Sequence, residues 1–518
     1  MKNISKYILG IAAIGLMSSC IDKFEDFNTN PYRPSTLPAS TLLPTMFECY
    51  ASPQQNSCQG NNTMWACFSG QVTAPTTWNN GRQTFAYFNA MESYNESTVN
   101  DFFTKIYSNL FRIEELTGKR GTIYSIAQLT RIYAMHIIAS LQGPLPYSQI
   151  AAGKTAVAYD DEPTAWHAMF DDLNDVITTL KVAAKDGVNN ELADIDQFYK
   201  GDCTKWLKFA NTLKLRMAMR ISGKEPEFAQ QMAEEAVRDG VMTSIEDSAY
   251  DTTNSGQSNN GYKIIDGWGE VRANACIVSY MNGYQDPRLS AYFTEQKNDA
   301  TGGYIGVRSG SNEIPDPASY TNYSRLFIAT DQTLPQPVMY AAEAAFLRAE
   351  GALKNWNMGG EAGDLYNEGI RLSFQESKVS GVEDYLVNTT NKPADYKDQW
   401  HGGNDYQNPS KITIKWDENA TDEEKLERIL TQKWIACYLD PMNGWADFRR
   451  TGYPRIFPPV QSYDSSCDLN RQQRRARFSQ KEYNTNTANV EAACAFLSNG
   501  QDSNGTDLWW AKKANGSY

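Results

Sequence analysis

The stretch 202–221 reads DCTKWLKFANTLKLRMAMRI, and the spacing of its apolar residues decides the fold class. Five of them recur at intervals of three or four, which is the period of one face of an α-helix. These residues are Trp206, Ala210, Leu213, Met217 and Ile221. Lys205, Lys208 and Arg216 stand outside this apolar series, and we expect these three side chains to face water. The stretch therefore predicts an amphipathic helix.

The same spacing recurs on both sides of this stretch. Toward the N-terminus it predicts two consecutive helices around 102–113 and 126–137, and a third that begins at Pro163. Proline suits the first turn of a helix because it has no amide hydrogen to leave unsatisfied there. Toward the C-terminus a further helix is predicted around 426–437. The chain is therefore expected to be mostly α-helical.

An alanine-rich helix near 340–352 is expected to pair with a second helix over 361–378. Alanine side chains are small, so the two helices can approach closely. The hairpin has roughly the length of a tetratricopeptide repeat, although the signature of that repeat is only partly present. No strictly periodic sequence repeat is found, so we predict degenerate helical hairpins.

Helical and loop-rich regions alternate along the chain. Helical hairpins are predicted at about 98–240, 336–379 and 422–440, and loop-rich regions at 241–335, 380–421 and 441–518. The loop-rich regions are dominated by Asn, Ser, Gly, Thr and Asp. One short helix, over 273–281, is expected within the first of them.

Composition limits the possible architectures and partners. The chain has 518 residues, of which 41% are hydrophobic, and this length exceeds the size at which one compact core stops growing. Two subdomains or one elongated helical array are therefore both possible. The formal net charge is -13, and only the short stretch 471–477 is strongly basic, so a nucleic-acid groove is not expected.

The N-terminus has the order of a secretory signal. Lys2 and Lys6 precede an apolar run over 8–17 that is too short to span a bilayer. Small residues then lead directly into Cys20, which resembles the lipobox of bacterial lipoproteins. This resemblance implies a signal peptide over 1–19 and a lipid on Cys20. An ordinary signal with an incidental cysteine is the alternative.

A tether is expected to follow the lipid anchor. Asp22, Glu25 and Asp26 stand just behind Cys20, and acidic residues there resemble the signal that exports some lipoproteins to the cell surface. The next residues are rich in Asn, Thr and Pro, a composition typical of an extended linker. We therefore predict a lipidated tether over 20–40 and a ligand-binding body over 41–518.

Cysteines and acidic residues give no metal pattern. Nine cysteines are present, and eight remain once Cys20 is set aside. Outside the cytoplasm these could form disulfides, with Cys58–Cys67 and Cys467–Cys494 as possible pairs. Four acidic residues, Asp186, Asp194, Asp196 and Asp202, do not match a calcium loop and are interpreted as solvated loop and helix-capping residues. No metal site and no cofactor are predicted.

Several long segments, in the same order along the chain, carry a family resemblance. They are DQFYKGDCTKWLKFANTLKLR at 196–216, the Ala-Glu-rich residues 343–351 with 366–370, QKWIA at 432–436 with GWADFRRTGYP at 444–454, and residues 475–486 with LWW at 508–510. These segments resemble the SusD/RagB-like family, in particular its second SusD-like branch. Together with the lipoprotein start they cover nearly the whole chain.

The resemblance implies a SusD-like fold, in which tetratricopeptide-like helical hairpins support irregular loop-rich regions. It also implies an outer-membrane lipoprotein on the cell surface that binds oligosaccharides. Members of this family act as a hinged lid over a SusC-like, TonB-dependent transporter, which would be the partner here. Capture of peptides, as on the RagB-like side of the family, is the alternative.

Aromatic residues within polar loops are the candidate ligand contacts, because sugar rings stack on aromatic faces while planar polar groups bind their hydroxyls. The first candidate loop lies within 65–88 and supplies Trp65, Trp78, Asn79, Arg82 and Tyr87. Trp78 is preferred, since resembling family members place a stacking tryptophan in this region. Two other loops supply Trp268, and Trp400 with Tyr406. For each residue, packing on the protein surface is the alternative.

No catalytic residues are predicted. The sequence lacks the serine-hydrolase, zinc-protease, phosphate-loop and dinucleotide motifs. A pair of carboxylates could serve a glycosidase, but none stands in a recognisable motif. Asp447, Arg449 and Arg450 follow Trp445 closely, and we interpret them as an ion-paired turn that locks the C-terminal segment onto the helices. The chain is thus predicted to bind its ligand without changing it.

Overall fold

The computed structural model describes residues 37–51, 65–74, 85–88, 92–154, 156–252, 271–296, 302–311, 322–331 and 333–518. Most of these residues are helical, which confirms the predicted fold class. The helices are α1 (Leu43–Phe47), α2 (Trp65–Phe68), α3 (Glu92–Thr117), α4 (Gly121–Gln142), α5 (Glu162–Asp186), α6 (Asn190–Ala193), α7 (Cys203–Ile221), α8 (Pro226–Asp239), α9 (Ala275–Tyr284), α10 (Leu289–Tyr292), α11 (Ala341–Leu353), α12 (Ala362–Glu376), α13 (Val382–Leu386), α14 (Asp422–Ala436), α15 (Pro441–Thr451), α16 (Gln480–Thr485) and α17 (Thr487–Cys494).

Four short strands form two antiparallel ribbons. The strands are β1 (Val72–Thr73), β2 (Ala249–Asp251), β3 (Arg272–Ala273) and β4 (Gln336–Met339). β1 pairs with β3, and β2 pairs with β4. The register of the second pair shifts between Ala249 and Tyr250. Each ribbon joins segments that are far apart in the chain, so the strands connect loop regions to one another.

The stretch 202–221 forms α7, and two aspartates fix the start of this helix. Asp202 is the N-cap and accepts the backbone N–H groups of Thr204 and Lys205. The buried Asp196 carboxylate accepts three backbone N–H groups and, at 2.7 Å, the indole N–H of Trp206. Asp202 caps the helix as the sequence predicted. Asp196 closes its loop from a fully buried position, so the prediction that it is solvated was wrong.

Arg216 does not face water, and this expectation was wrong. Its side chain is only 3% exposed, because α7 packs against α5, α8 and α11. The guanidinium donates to both oxygens of Glu343, at 2.8 and 2.6 Å, and to Asp440 at 3.1 Å. A buried charge needs such compensation. Periodicity alone therefore misassigned the side of the helix on which Arg216 lies.

Helical hairpins form the frame, as predicted. α3 packs on α4, α4 on α5, α7 on α8, and α11 on α12, while α14 covers both α11 and α12. The close contact of α11 with α12 depends on small residues. A Cβ atom on Gly369 would lie 2.8 Å from the ring of Phe346. The predicted hairpin over 340–378 is therefore confirmed, with its helices at Ala341–Leu353 and Ala362–Glu376.

One continuous apolar core runs through the part of the chain that the structure describes. Its members extend from Leu43 in α1 to Ala511 near the C-terminus. A small second cluster includes Tyr159, Phe478 and Val490. Of the two possible layouts, the single helical array agrees with this core, and two separate subdomains do not.

The region 441–518 is more regular than predicted. It contains α15, α16 and α17, of which α15 is wholly buried. Charged residues in the middle of α15 obscured its apolar period, so the sequence suggested a turn where a helix stands. The predicted helix over 273–281 is present with shifted bounds, as α9 (Ala275–Tyr284).

The charged residues of α15 do lock the C-terminal segment, but they do so from a helix and not from a turn. Arg449 donates to the carbonyl oxygens of Ser140, at 2.7 Å, and Arg474, at 3.0 Å. Its guanidinium carbon lies 3.5 Å from the ring centroid of Trp445. Asp447 accepts from Lys433 at 2.8 Å. These contacts join α15 to α4, to α14 and to the chain that follows.

Removing Glu343 would leave Arg216 buried beside a single carboxylate. We expect Glu343→Ala to lower the free energy of unfolding by about 3 to 5 kcal/mol, because an uncompensated buried charge is strongly unfavourable. Denaturant titration followed by tryptophan fluorescence measures this loss. The matched control is Glu383→Ala, which removes an exposed ion pair with Arg371 (2.8 Å) and should leave the midpoint unchanged. Equal shifts in both variants would contradict the expectation.

Glu162, in the first turn of α5, is buried against the C-terminal segment. Its Oε1 accepts the backbone N–H of Trp509 at 2.7 Å, while Oε2 has no hydrogen-bond partner among the described residues. Burial raises the pKa of Glu162 to about 7, against a partial lowering by the Trp509 N–H. The folded protein therefore favours the protonated acid at this position.

This shift predicts a pH-dependent stability. The folded state holds the Glu162 proton more tightly than the unfolded chain, whose pKa is near 4.5. The resulting stabilisation is complete below the unfolded pKa and is lost as the pH rises through the folded pKa of about 7. The side chain of Glu162→Gln stays neutral at every pH. Relative to the wild type, we therefore expect the free energy of unfolding of this variant to rise by up to about 3 kcal/mol by about pH 8. Thermal midpoints of both proteins across this range test the gain, and a pH-independent difference would refute it.

Candidate functional site

The loop-rich regions converge on the segment 302–311. Five segments meet there, and together we call them the loop cluster: residues 85–88, 302–311, 322–326, 396–406 and 456–463. Arg308 is its centre, because its guanidinium donates to the carbonyl oxygens of Asn404 (3.2 Å), Asp405 (3.0 Å) and Pro458 (3.0 Å). Burial lowers the pKa of Arg308. One side chain thus ties three separate stretches of chain into a common surface.

Trp400 is held in this cluster by Asp398. The Asp398 carboxylate accepts the backbone N–H groups of Trp400, at 3.0 Å, and His401, at 3.1 Å, and the side-chain amide of Asn404 at 3.0 Å. The ring of Tyr323 meets the Trp400 indole edge to face, with centroids 5.0 Å apart. Trp400 itself is half-buried, so part of its indole remains accessible.

Tyr406 occupies the other arm of the same loop. Its backbone exchanges hydrogen bonds with Tyr396, at 2.8 and 3.1 Å, which closes the loop 396–406. The Tyr406 ring lies 4.7 Å from Phe457 and 4.5 Å from the guanidinium carbon of Arg308. It is half-buried. Trp400 and Tyr406 therefore share one rigid loop, as their spacing suggested.

Tyr87 belongs to the cluster but supports another ring. It is only 2% exposed, and its hydroxyl donates to the Ser311 carbonyl. Tyr463 stacks on it, with centroids 4.8 Å apart and planes inclined by 11°. Tyr463 is 48% exposed, so this ring and not Tyr87 presents a face to solvent. Tyr463 was not among the predicted contacts, although it stands in a polar loop, rich in Ser and Asp, like the predicted aromatic residues.

The remaining predicted contacts fall outside this cluster or outside the described residues. Trp65 lies in α2 and is buried in the apolar core, where its ring has no free face for a sugar. Trp78, Asn79, Arg82 and Trp268 lie outside the described residues. Of the predicted set, the structure thus brings together Tyr87, Trp400 and Tyr406.

The cluster has the groups that a neutral polar ligand needs. Trp400, Tyr406 and Tyr463 are partly exposed aromatic residues, and hydrogen bonds to Asp398 hold the loop around Trp400. Burial and the neighbouring Asp398 raise the pKa of Tyr323, so its hydroxyl stays protonated at neutral pH. Within the described ranges, no group of three or more His, Cys, Asp or Glu residues could hold a metal ion.

Three further findings concern the cysteines and the membrane. Cys67, Cys467 and Cys494 are free thiols. Neither possible disulfide is therefore formed, although Cys58 itself lies outside the described residues. Cys20 also lies outside them, so the lipid site stays a prediction. No helix in the described part of the chain is both long and apolar enough to cross a bilayer.

The sequence model of the SusD and RagB outer membrane lipoproteins matches residues 31–511. The chain belongs to this SusD-like family. A SusD-like protein from Bacteroides thetaiotaomicron, of known crystal structure, is 65% identical to it with a TM-score of 0.91. That match covers 93% of this chain and 100% of the other. The resemblance found in the sequence is therefore confirmed.

Two more distant SusD homologues share the fold. One, also from Bacteroides thetaiotaomicron, is 32% identical with a TM-score of 0.86, covering 93% of this chain and 100% of its own. The other, described as a chitin-binding SusD homologue from Flavobacterium johnsoniae, is 31% identical with a TM-score of 0.84, covering 91% and 98%. A comparison with curated protein sequences finds no match.

In this SusD-like protein, Asp398 is expected to set the position of Trp400. Asp398→Ala removes the acceptor of the Trp400 and His401 amides, so these amides should exchange with deuterium roughly tenfold faster or more. Mass spectrometry of peptides covering 397–405 measures the rates. The control Lys397→Ala removes only an exposed ion pair with Asp405 and should leave them unchanged. Unaltered exchange in Asp398→Ala would show that other contacts hold the loop.

Proposed function

We propose that this SusD-like protein captures oligosaccharides at the cell surface and delivers them to a SusC-like, TonB-dependent transporter in the outer membrane. Membership of the outer membrane lipoprotein family supports the location. The small residues before Cys20 support a lipid anchor at that position. The transporter is the partner that the family resemblance implies.

The observation that carries the glycan proposal is the placement of Trp400. Its indole is partly open to solvent, while Asp398 and Tyr323 fix its orientation. A ring that is already immobilised loses little entropy when a sugar stacks on it. The chitin-binding homologue from Flavobacterium johnsoniae supports saccharides as the ligand class.

Peptides are the second candidate ligand. The family description names RagB beside SusD, and the RagB-like side of the family suggests peptide capture. A calorimetric screen of the protein without residues 1–20 separates the two classes. It would include N,N′-diacetylchitobiose, soluble plant and host polysaccharides, and mixed short peptides. Saturable heats with saccharides alone support the proposal, and heats with peptides alone replace it.

The protein is further proposed to release its ligand unaltered. Its sequence lacks the serine-hydrolase and zinc-protease motifs, and the Asp398 carboxylate is occupied by backbone and side-chain donors. Mass spectrometry of a bound saccharide after prolonged incubation tests this point. Shortened products that disappear after heat inactivation of the protein would make it an enzyme.

Trp400→Ala should weaken binding of the saccharide found in the screen by roughly tenfold or more, because a preorganised stacking face is lost. Trp78→Ala should have an effect of similar size, as the sequence analysis predicts. Calorimetry gives the dissociation constants, and circular dichroism confirms folding. The control is Phe496→Ala, which removes an aromatic ring that is 45% exposed outside the loop cluster. Unchanged affinity in Trp400→Ala removes Trp400 from the site.

A further inference from the structure

Besides Trp400, the loop cluster contains Tyr463 as a partly exposed aromatic residue. Tyr463 is 48% exposed. Tyr87 covers one face of its ring, with ring centroids 4.8 Å apart and planes inclined by 11°. Backbone atoms make up only a small part of the surface of a tyrosine, so most of the exposed area belongs to the phenol group. The accessible part of Tyr463 therefore includes the ring face opposite Tyr87.

Several hydrogen bonds hold Tyr463 in place. Its backbone N–H donates to the Tyr87 carbonyl at 2.9 Å. Tyr87 is itself fixed, because its hydroxyl donates to the Ser311 carbonyl. On the other side of Tyr463 in the chain, the Asp464 carboxylate accepts the side-chain amide of Asn504 at 2.7 Å. A ring that is fixed in this way loses little conformational entropy when a ligand stacks on it.

Arg308 connects the segment of Tyr463 to the loop of Trp400. Its guanidinium donates to the carbonyl oxygens of Pro458, at 3.0 Å, and Asn404, at 3.2 Å. Pro458 stands five residues before Tyr463, and Asn404 stands four residues after Trp400. Because an extended chain spans no more than about 3.6 Å per residue, the Cα atom of each ring residue lies within roughly 18 Å of a residue that Arg308 binds. One buried side chain thus fixes the two segments that carry these rings.

We propose, on the basis of the glycan function given above, that Tyr463 stacks on a second sugar unit of the oligosaccharide that Trp400 binds, so that the site prefers longer chains. The apolar C–H faces of sugars pack on uncharged aromatic rings, and the second ring adds such a contact. Each ring is fixed by its own partner, Trp400 by Asp398 and Tyr463 by Tyr87. A disaccharide then covers one ring, whereas a longer chain covers both.

A length series tests this preference on the protein without residues 1–20. The probes are size-separated fragments, from two sugar units to eight, of the polysaccharide that gives saturable heat in the calorimetric screen. The affinity should rise by roughly threefold or more from the disaccharide to the longer fragments. Equal affinity at all lengths, or saturation by N,N′-diacetylchitobiose alone, overturns the role of Tyr463 and leaves the glycan function standing. Absence of saturable binding by every saccharide overturns both.

Variants at Tyr463 assign the length preference to its ring. Tyr463→Ala removes the ring and should abolish the gain in affinity from the disaccharide to the longer fragments. Tyr463→Phe restores the ring without the hydroxyl and should recover this gain, because stacking needs only the ring. The matched control is Phe496→Ala, which removes a ring of similar exposure, 45%, outside the loop cluster and should retain the gain. A gain that survives in Tyr463→Ala, or is lost in Tyr463→Phe, overturns stacking on Tyr463.

A double variant shows whether the two rings contact different sugar units. With the longest fragment, the losses of affinity caused by Trp400→Ala and Tyr463→Ala should multiply in the double variant, because contacts at independent positions are additive in free energy. Circular dichroism confirms that each variant is folded. A double variant that binds the longest fragment as tightly as Trp400→Ala alone overturns a separate contact at Tyr463.

Discussion

The fold depends on charges that are paired inside the helical frame. Arg216 of α7 is held by Glu343 of α11 and by Asp440 at the start of α15. Arg450 of α15 reaches Glu350 of α11 at 2.5 Å. Each buried ion has lost several kcal/mol of hydration, which is recovered only when its partners stand at short distance and in the right direction. These pairs therefore fix how α7, α11 and α15 are placed relative to one another.

A frame fixed in this way lets the loops carry the binding chemistry. The loop cluster has little regular structure of its own, but Arg308 ties its segments together through carbonyl oxygens. Asp398 then orients Trp400, and Tyr87 supports Tyr463. Loops on a rigid scaffold can differ between relatives without loss of stability. Homologues that are 32% and 31% identical to this chain share its fold.

Apolar periodicity predicted the helices well and failed where charge is buried. The hairpin of α11 and α12 was found because alanines and leucines repeat at helical spacing. Arg216 and the helix α15 were misjudged, because a buried ion pair has no periodic apolar signal. The same limit applies to the site. Polar-loop composition selected both Trp65 and Trp400, yet only Trp400 is partly exposed, since burial depends on contacts between distant segments.

The hydrogen-bond partners of each buried carboxylate distinguish a carboxylate that stabilises the helical frame from one that is available to a ligand. All donors that Asp196 needs come from its own loop and from Trp206. Glu162 has one unpaired oxygen, but it is tightly enclosed, since a Cβ on Gly143 would lie within 3.0 Å of its carboxylate. Glu376 lies beside a cavity, but its unpaired oxygen is closed off from that space as well. An unsatisfied acceptor therefore indicates a ligand only where the acceptor itself is open to a cavity, and neither carboxylate meets this condition.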